Sequence, residues 1–303
     1  MSRNRGGHLI RQETAAGLLV LVASLLFGIS GAVAANAFDE IPPTRVAQAR
    51  SVIAAGMLLP YALSRGLVRR VPVGRILMLG VNLAAIHIAY YLALQRLGVG
   101  PGVTIEFLGP LLVLAWMRFV QHRPVAPGVW VAGAVAVVGA GLVSQAWRFK
   151  ELDLLGLGAG LAAAVLFASY LLQSESITRH LHPAAVLGLG FLVAATLWSV
   201  LYPPWEFPLD VSAGARWQLV WVGLGGTMLP FVLEMGAMRH ISAGSAGVIA
   251  TSEPVFAAAA AWVLLSQSLS PLQVVGGMAV VAAVATTQRI GTPSLKLPME
   301  AAH

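Results

Sequence analysis

Three acidic side chains lie inside long apolar stretches of this sequence, where a charge without a partner is costly. They are Glu106, Glu234 and Glu253. An ionisable group inside a lipid bilayer costs about 2.5–3.5 kcal/mol on insertion scales, so it normally faces a water-filled cavity or a polar partner. We therefore expect these carboxyl groups to bind a cation, to exchange protons or to pair with a basic side chain.

Each of these glutamates has a proline within four residues of it. The prolines are Pro110, Pro230 and Pro254. A proline inside a helix removes one backbone hydrogen bond and clashes with the preceding turn, so it bends or breaks the helix. A bent helix that carries a carboxyl group suits the wall or the gate of a cavity. We predict roles in gating or coupling for Glu234 and for the three prolines.

Arg50 lies inside the second apolar stretch and can complement the carboxyl groups. Its planar guanidinium can hold the carboxylate of a substrate through a two-pronged contact. It can instead extend to the lipid headgroups or neutralise Glu106. Glu106, in turn, can bind an amino group, pair with Arg50 or take up protons. We take both residues as candidates for substrate binding.

The other two glutamates also have alternative interpretations. Glu234 shares one helix face with three residues that precede it: Thr227, Pro230 and Phe231. It can line a cavity together with Phe231, or it can pair with Arg239 or Arg179 at the membrane surface. Glu253 lies near the middle of its span, where it can bind substrate, couple proton movement or hydrogen-bond to a neighbouring helix.

Polar aromatic residues form two further stripes at helical spacing. The first contains His87, Tyr90 and Tyr91, with Asn82 further back, and the second contains Phe167, Tyr170 and Ser174. Aromatic rings with polar tips suit an amphipathic ligand such as an amino acid. The same side chains can also serve helix packing alone. Our candidates for substrate contact are His87, Tyr90, Tyr91, Asn82, Tyr170 and Phe231.

The composition indicates a membrane protein. The 303 residues are 58% hydrophobic and 10% charged, whereas soluble domains contain about 25% charged residues. The net charge of +7 comes mainly from arginines scattered between apolar stretches, a pattern that argues against nucleic acid as a partner. There is no cysteine, and motifs for zinc hydrolysis, serine hydrolysis and nucleotide binding are missing. We predict a protein that is not an enzyme and uses no metal or cofactor.

The apolar stretches have the length of transmembrane helices, which need about 20 mostly apolar residues. Ten such stretches occur: 14–36, 44–64, 73–95, 102–120, 126–146, 154–175, 183–202, 215–238, 244–265 and 270–288. The first has the flanks of a secretory signal but is too long for the apolar part of one. The sequence therefore predicts an all-α integral membrane protein with ten transmembrane helices.

The sequence also contains an internal repeat. When it is shifted by 144 residues, the third to fifth spans align without a gap with the last three. Each half then holds five spans, and an odd number inverts the second half relative to the first, so we predict two inverted repeats around a central cavity. Glu253 aligns with Gly109 and Glu106 with Ala250, so the carboxyl groups are not related by this symmetry. The predicted segments are 1–13 (N-terminal segment), 14–146 (first repeat), 147–153 (linker), 154–289 (second repeat) and 290–303 (tail).

Basic residues predict the orientation in the membrane. With the N-terminus in the cytoplasm, 13 of the 19 lysines and arginines fall on the cytoplasmic side and 6 on the other. Because cytoplasmic loops carry an excess of Lys and Arg, we predict that both termini are cytoplasmic, in agreement with an even number of spans. A bacterial inner membrane is the expected location. The predicted spans and orientation are compatible with a monomer.

Three segments resemble those of a known family. Residues 105–110, 229–235 and 252–254, with the ten spans and the duplication, are similar to the EamA-type transporters of the drug/metabolite transporter superfamily. The nearest likeness is to bacterial exporters of threonine and homoserine and of aromatic amino acids. The resemblance implies a basket of ten helices that exports amino acids, aromatic or other neutral ones, by alternating access, with amino acids and membrane lipids as partners. A multidrug or other metabolite carrier of the same fold is an alternative, and a membrane enzyme acting on lipids is a more remote one.

Overall fold

The computed structural model describes residues 2–38, 40–68, 71–148, 153–208, 210–265 and 268–290, and within these ranges every regular element is helical. The α-helices are α1 (Ser2–Ala37), α2 (Pro43–Ser64), α3 (Val73–Leu97), α4 (Val99–Glu106), α5 (Gly109–Ala115), α6 (Pro127–Val143), α7 (Leu154–Thr178), α8 (Pro183–Leu201), α9 (Ala213–Gly223), α10 (Leu229–Ala237), α11 (Ala243–Ala250), α12 (Glu253–Leu265) and α13 (Pro271–Ile290). A π-helical turn extends α5 over Trp116–Val120, and a second one joins α9 to α10 over Leu224–Met228.

These helices form the ten expected spans, three of which are interrupted. The fourth span consists of α4 and α5, the eighth of α9 and α10, and the ninth of α11 and α12. Eight helical runs in the described ranges are long and apolar enough to cross a membrane, and α6 is a shorter apolar helix. The first helix begins at Ser2, well before the apolar stretch, because backbone hydrogen bonding continues through the polar residues that precede it. The protein therefore has the all-α, ten-span membrane fold that the sequence predicts.

The fourth and ninth spans break at equivalent places. The shift of 144 residues maps the end of α4 onto the end of α11 and the start of α5 onto the start of α12. Prolines account for both breaks. Pro110 lacks the N–H that would bond to the carbonyl of Glu106, and Pro254 lacks the one for the carbonyl of Ala250. Each span therefore stops and restarts midway, and its helix ends present backbone polar groups to the interior.

The contacts between helices follow a two-fold pattern. Helix α2 packs on its repeat equivalent α8, and α6 packs on its equivalent α13. Helix α3 packs on α7 as α1 packs on α10, and α5 packs on α7 as α1 packs on α12. These contacts are those of two repeats related by a pseudo-two-fold axis in the membrane plane. A residue near this axis can therefore contact both halves.

The two ends of the helix bundle are distinguished by the direction of α1. The N-terminal face is the end at which α1 begins, and the described parts of the connections there are 65–68, 71–72, 121–126, 179–182 and 238–242. At the opposite face, the described parts of the connections include 38, 40–42, 144–148, 153, 202–208 and 210–212.

Candidate functional site

Arg50 hydrogen-bonds to both halves of the protein. Its Nε donates to the Thr227 hydroxyl at 2.8 Å and its Nη2 to the Gly226 carbonyl at 3.1 Å. Its Nη1 donates to the Tyr91 hydroxyl at 3.3 Å. A guanidinium has five N–H groups in a planar fork, so one N–H on each terminal nitrogen remains beyond these three bonds. Arg50 therefore links α2 to α3 and to the π turn of the eighth span, and it retains two donors for another group.

The π turn supplies two of the acceptors for Arg50. Pro230 has no N–H to give to the carbonyl of Gly226, four residues earlier, so this oxygen is left for the guanidinium. The Thr227 hydroxyl donates to the Val222 carbonyl at 2.6 Å while it accepts from Arg50. Interruptions of this kind are frequent at functional sites. Here the interruption sets the position of a half-buried cationic group.

Glu106 and Glu253 lie at the breaks of the two divided spans. Glu106 is the last residue of α4, Glu253 is the first of α12, and both are half buried. Glu106 interacts electrostatically with Glu253 and Arg50, and Glu253 also interacts with Arg50. Among the described residues, however, no ion pair within 4.0 Å forms to either carboxyl group. Glu106 and Arg50 are thus neighbours that do not neutralise one another directly.

Tyr90 and Tyr91 lie in the same region. Their ring centroids are 5.7 Å apart, and Tyr91 also packs edge-on against Phe38 at 5.6 Å. Tyr90 interacts electrostatically with both Glu106 and Glu253. The half-buried residues of this region form the central cluster: Arg50, Tyr90, Tyr91, Glu106 and Glu253. Because each retains part of its accessible surface, open space adjoins this cluster.

His87 and Asn82 lie on the same helix as the tyrosines but differ from them. His87 is buried, its ring is 6.2 Å from that of Tyr91, and its Nδ1 is 2.6 Å from the carbonyl of Leu83 in its own helix. Asn82 is also buried, and its amide finds no hydrogen-bond partner in the part of the chain that the structure describes. His87 therefore borders the central cluster, whereas no polar contact in the described ranges joins Asn82 to it.

Four aromatic rings meet across the interior, on the N-terminal side of the central cluster. Phe231 of α10 is in the middle, and its ring packs edge-on against those of Phe27 at 5.1 Å, Tyr170 at 5.3 Å and Phe191 at 5.3 Å. The partners belong to α1, α7 and α8, so rings from both halves take part. We call this set of four residues the aromatic barrier.

Glu234 lies on α10 one turn beyond Phe231, toward the N-terminal face. It is 3% exposed, and within the described ranges it forms no ion pair, while Arg179 pairs with Glu175 instead. The Tyr170 hydroxyl lies beside the Glu234 carboxyl group and the Ser174 hydroxyl. Neither hydroxyl has a partner at hydrogen-bond geometry among the residues described. Tyr170 thus belongs both to the aromatic barrier and to a second, fully buried polar group.

A buried ionic cluster that the sequence did not indicate lies at the N-terminal face. Both carboxylate oxygens of Glu175 accept from Arg123, each at 3.1 Å, and Arg179 donates to one of them at 2.7 Å. The backbone N–H of Ala243, at the start of α11, donates to Glu175 at 3.1 Å. This Glu175 cluster joins a loop of the first half to two helices of the second. Only the four-residue spacing of Glu175 and Arg179 was visible in the sequence.

Packing differs on the two sides of the central cluster. Every residue of α11 is buried, whereas residues 255–260 of α12 are all half buried. The fourth span shows the same contrast, because Pro110, Val113 and Leu114 of α5 are buried and residues 103–106 of α4 are half buried. The interior is therefore tightly packed toward the N-terminal face and looser toward the opposite face.

Two surface grooves lie away from the central cluster. They have volumes of about 890 Å³ and about 460 Å³ and lie beside α6 and between α12 and α13. Their walls are mostly apolar and contain none of the candidate residues. No group of three metal-binding side chains occurs in the ranges that the structure describes. The central cluster is thus the candidate site.

Comparison with known proteins gives the family. The model of the EamA-like transporter family matches residues 14–145 and 154–288. The threonine/homoserine exporter RhtA of Escherichia coli K12 is 30% identical over 275 residues, which cover 88% of each chain, and RhtA of Salmonella typhimurium LT2 is 28% identical over the same length. The uncharacterized transporter YwfM of Bacillus subtilis 168 is 24% identical over 266 residues, 84% of this chain and 87% of that one. A solved crystal structure has the same fold, with a TM-score of 0.79 over 92% of this chain and 98% of that one at 19% identity. Since two copies of the family model cover most of its length, this multi-pass membrane transporter, which is not an enzyme, belongs to the EamA-like transporter family.

Proposed function

We propose that this transporter exports neutral amino acids from the cytoplasm and binds them as zwitterions at the central cluster. One observation carries the proposal. A single guanidinium, held across both halves by three hydrogen bonds, lies near two carboxyl groups with which it forms no ion pair. A zwitterion presents the complementary charges, a carboxylate for Arg50 and an ammonium group for Glu106 and Glu253.

The chemistry of each end follows from the donors and acceptors present. The two remaining N–H groups of Arg50 can hold a substrate carboxylate in a bidentate contact. An ammonium group has three donors and no acceptor, which suits Glu106 and Glu253. Tyr90 and Tyr91 offer rings and hydroxyl groups to the side chain between these ends. His87 borders this space. Contact between Asn82 and the substrate stays a prediction, since Asn82 lies outside the central cluster.

The size of the substrate is suggested by the relatives. Those with a named substrate are threonine/homoserine exporters, and both compounds are small neutral amino acids with a hydroxyl group. Such a group can hydrogen-bond to the tyrosines of the central cluster. We therefore place threonine-sized amino acids first, with aromatic ones as a further candidate.

Export is the direction suggested by the relatives, and the predicted orientation relates the present conformation to it. If the N-terminal face is cytoplasmic, the interior is packed shut toward the cytoplasm and open toward the outside in this conformation. The repeats 14–146 and 154–289, joined by the linker 147–153, then rock about the central cluster to open the other side. The breaks at Pro110 and Pro254 and the π turn before Pro230 are the flexible points at which such a movement is expected.

Counterflow of labelled threonine in proteoliposomes tests the proposal. Because a hydrogen bond to a charged group contributes about 1.5–3 kcal/mol, Arg50→Gln should raise the KM for threonine by about tenfold or more. Arg96→Gln is the matched control, since Arg96 is exposed and pairs with Asp153 at the opposite face, and it should leave the KM unchanged. Absence of flux for every amino acid tested would reject this substrate class.

A second candidate function is export of organic cations. It is favoured by the carboxyl groups Glu106, Glu234 and Glu253, which outnumber the Arg50 guanidinium in and next to the central cluster. The same proteoliposomes can be assayed with labelled tetraphenylphosphonium. Cation flux that survives Arg50→Gln, without amino acid flux in the unmodified protein, would replace the first proposal by this one.

A further inference from the structure

Three buried polar side chains on the N-terminal side of the aromatic barrier form a group that the central cluster does not include. Glu234, Tyr170 and Ser174 are 3%, 2% and 0% exposed. Tyr170 and Ser174 are one turn apart on α7, and Glu234 faces them from α10. In the part of the chain that the structure describes, the Tyr170 hydroxyl lies beside both other groups, but neither hydroxyl meets hydrogen-bond geometry, and the carboxyl group lacks a cation.

Such a group is expensive to keep in a protein interior. A buried donor or acceptor without a partner costs about 1–3 kcal/mol, and a carboxyl group without a cation is costlier still when it is ionised. Packing alone gives no reason to retain all three, because phenylalanine, alanine and glutamine or leucine would fill the same space at lower cost. We infer that a ligand satisfies them in another step of the transport cycle.

The chemistry of the group selects the ligand. A carboxyl group and two hydroxyl groups offer oxygen acceptors, and an ammonium ion supplies three donors without any acceptor. The rings of Tyr170 and Phe231, 5.3 Å apart, lie beside the same space, and aromatic faces attract cations. A substrate carboxylate is excluded here, because the nearby guanidiniums of Arg123 and Arg179 bind Glu175.

The position of the group places it on a path to the central cluster. Glu234 interacts electrostatically with Glu253, and Glu253 interacts with Glu106. These carboxyl groups therefore form a series that leads from the N-terminal side to the middle of the protein. Phe231 of the aromatic barrier lies between Glu234 and the central cluster, and the Glu175 cluster lies beyond Glu234 at the N-terminal face.

We propose that Glu234, Tyr170 and Ser174 form an entry subsite, which takes the ammonium group of a substrate arriving from the N-terminal face before the central cluster takes it. The proposal rests on the proposed function, in which the N-terminal face is cytoplasmic. The subsite is closed in the present conformation, since α11 is wholly buried beside it. It opens when the Glu175 cluster separates.

Sided transport measurements test the entry subsite. Labelled threonine is supplied to right-side-out and to inside-out vesicles, and the KM is measured from each face. Glu234→Gln should raise the KM from the N-terminal face about tenfold and leave the KM from the opposite face unchanged. Tyr170→Phe and Ser174→Ala, which remove hydroxyl groups that do not meet hydrogen-bond geometry in this conformation, should raise it about threefold without loss of thermal stability. These two variants keep the test valid if Glu234→Gln fails to fold.

Ser24→Ala is the control for the serine variant. Ser24 is buried like Ser174, but its hydroxyl already donates to the Val20 carbonyl at 2.9 Å, so this change should affect stability and leave both KM values unaltered. An equal rise in KM from both faces would assign Glu234 to the central cluster and overturn the proposal. An unchanged KM with loss of stimulation by a pH gradient would make the occupant a proton and overturn it as well. Lack of amino acid flux in the unmodified protein would instead contradict the proposed function.

Discussion

The Glu175 cluster makes a quantitative prediction about which conformation the protein prefers. Glu175→Gln removes the charge that Arg123 and Arg179 both bind, and removal of one partner from a buried ion pair costs about 3–5 kcal/mol. The cost applies only to the conformation in which the cluster is assembled. A value of about 3 kcal/mol changes the ratio of the two conformations by about 100-fold, because about 1.4 kcal/mol corresponds to a factor of ten.

Accessibility of a single cysteine can measure this shift, because the natural sequence contains no cysteine. Ala246, in α11, is 0% exposed, so Ala246→Cys should react slowly with a maleimide that cannot cross membranes. When the reagent is applied from the N-terminal face, adding Glu175→Gln should accelerate labelling by up to about 100-fold. Glu206→Gln is the matched control. Glu206 pairs with Arg45 at the opposite face, but its side chain is 62% exposed, and exposed pairs contribute only about 0–1 kcal/mol.

Equal labelling rates for Ala246→Cys with and without Glu175→Gln, both folded, would contradict this prediction. The cluster would then be a rigid brace that stays assembled in every conformation. Arg123→Gln provides a second test, because it removes the ion-pair partner that the first half contributes and retains the pair between Glu175 and Arg179. It should accelerate labelling in the same direction by a smaller factor, and a thermal unfolding curve shows whether each variant is folded.

Two further predictions concern the position of Arg50 and the start of α7. Thr227→Val removes the acceptor for the Arg50 Nε and should raise the KM for threonine about tenfold, because a hydrogen bond to a charged group is lost. Thr227→Ser keeps the hydroxyl group and should keep the KM of the unmodified protein. Equal KM values for the two variants would contradict the positioning role. At the opposite face, the Gly156 N–H, at 2.7 Å from the Asp153 side chain, holds the pKa of Asp153 below its ordinary value of 3.8. Because the folded pKa is the lower one, ionised Asp153 stabilises the protein above pH 3.8 and this contribution is lost as the pH falls through the lowered value. Asp153→Asn should therefore reduce the loss of melting temperature between pH 5 and pH 3, and an unchanged pH profile would count against this cap.

Much of the architecture can be predicted from the sequence because it depends on local chemistry. The length of the apolar stretches gives the spans, and the missing N–H groups of Pro110 and Pro254 interrupt two of them at equivalent places. The 144-residue shift that aligns the two sequences also aligns the ends of the divided helices. Each of these features depends on one continuous stretch of sequence or on a comparison of the chain with itself.

The partners of the polar residues were not predictable in the same way. The sequence left Arg50 with a substrate carboxylate, Glu106 or the headgroups as alternatives, and within the protein the structure gives it Thr227, Gly226 and Tyr91. The first two of these lie more than 170 positions away in the sequence, and the π turn that exposes them has no signature beyond a proline. The Glu175 cluster was missed for the same reason, since Arg123 approaches Glu175 only through tertiary packing.

The two repeats are not fully symmetric, and the differences between equivalent helices indicate how the opposite conformation differs from this one. Helices α4 and α11 are equivalent, yet only α11 is wholly buried, and α5 is more buried than its equivalent α12. In an inverted repeat, exchange of these environments produces the other conformation, so α5 and α11 should then line an opening at the N-terminal face. Accelerated labelling of Ala246→Cys is what such an exchange predicts. The carboxyl groups do not exchange, because Glu106 is equivalent to Ala250 and Glu253 to Gly109. The two conformations therefore present different charge arrangements to one substrate, and a ligand shifts the equilibrium between them only through a difference of this kind.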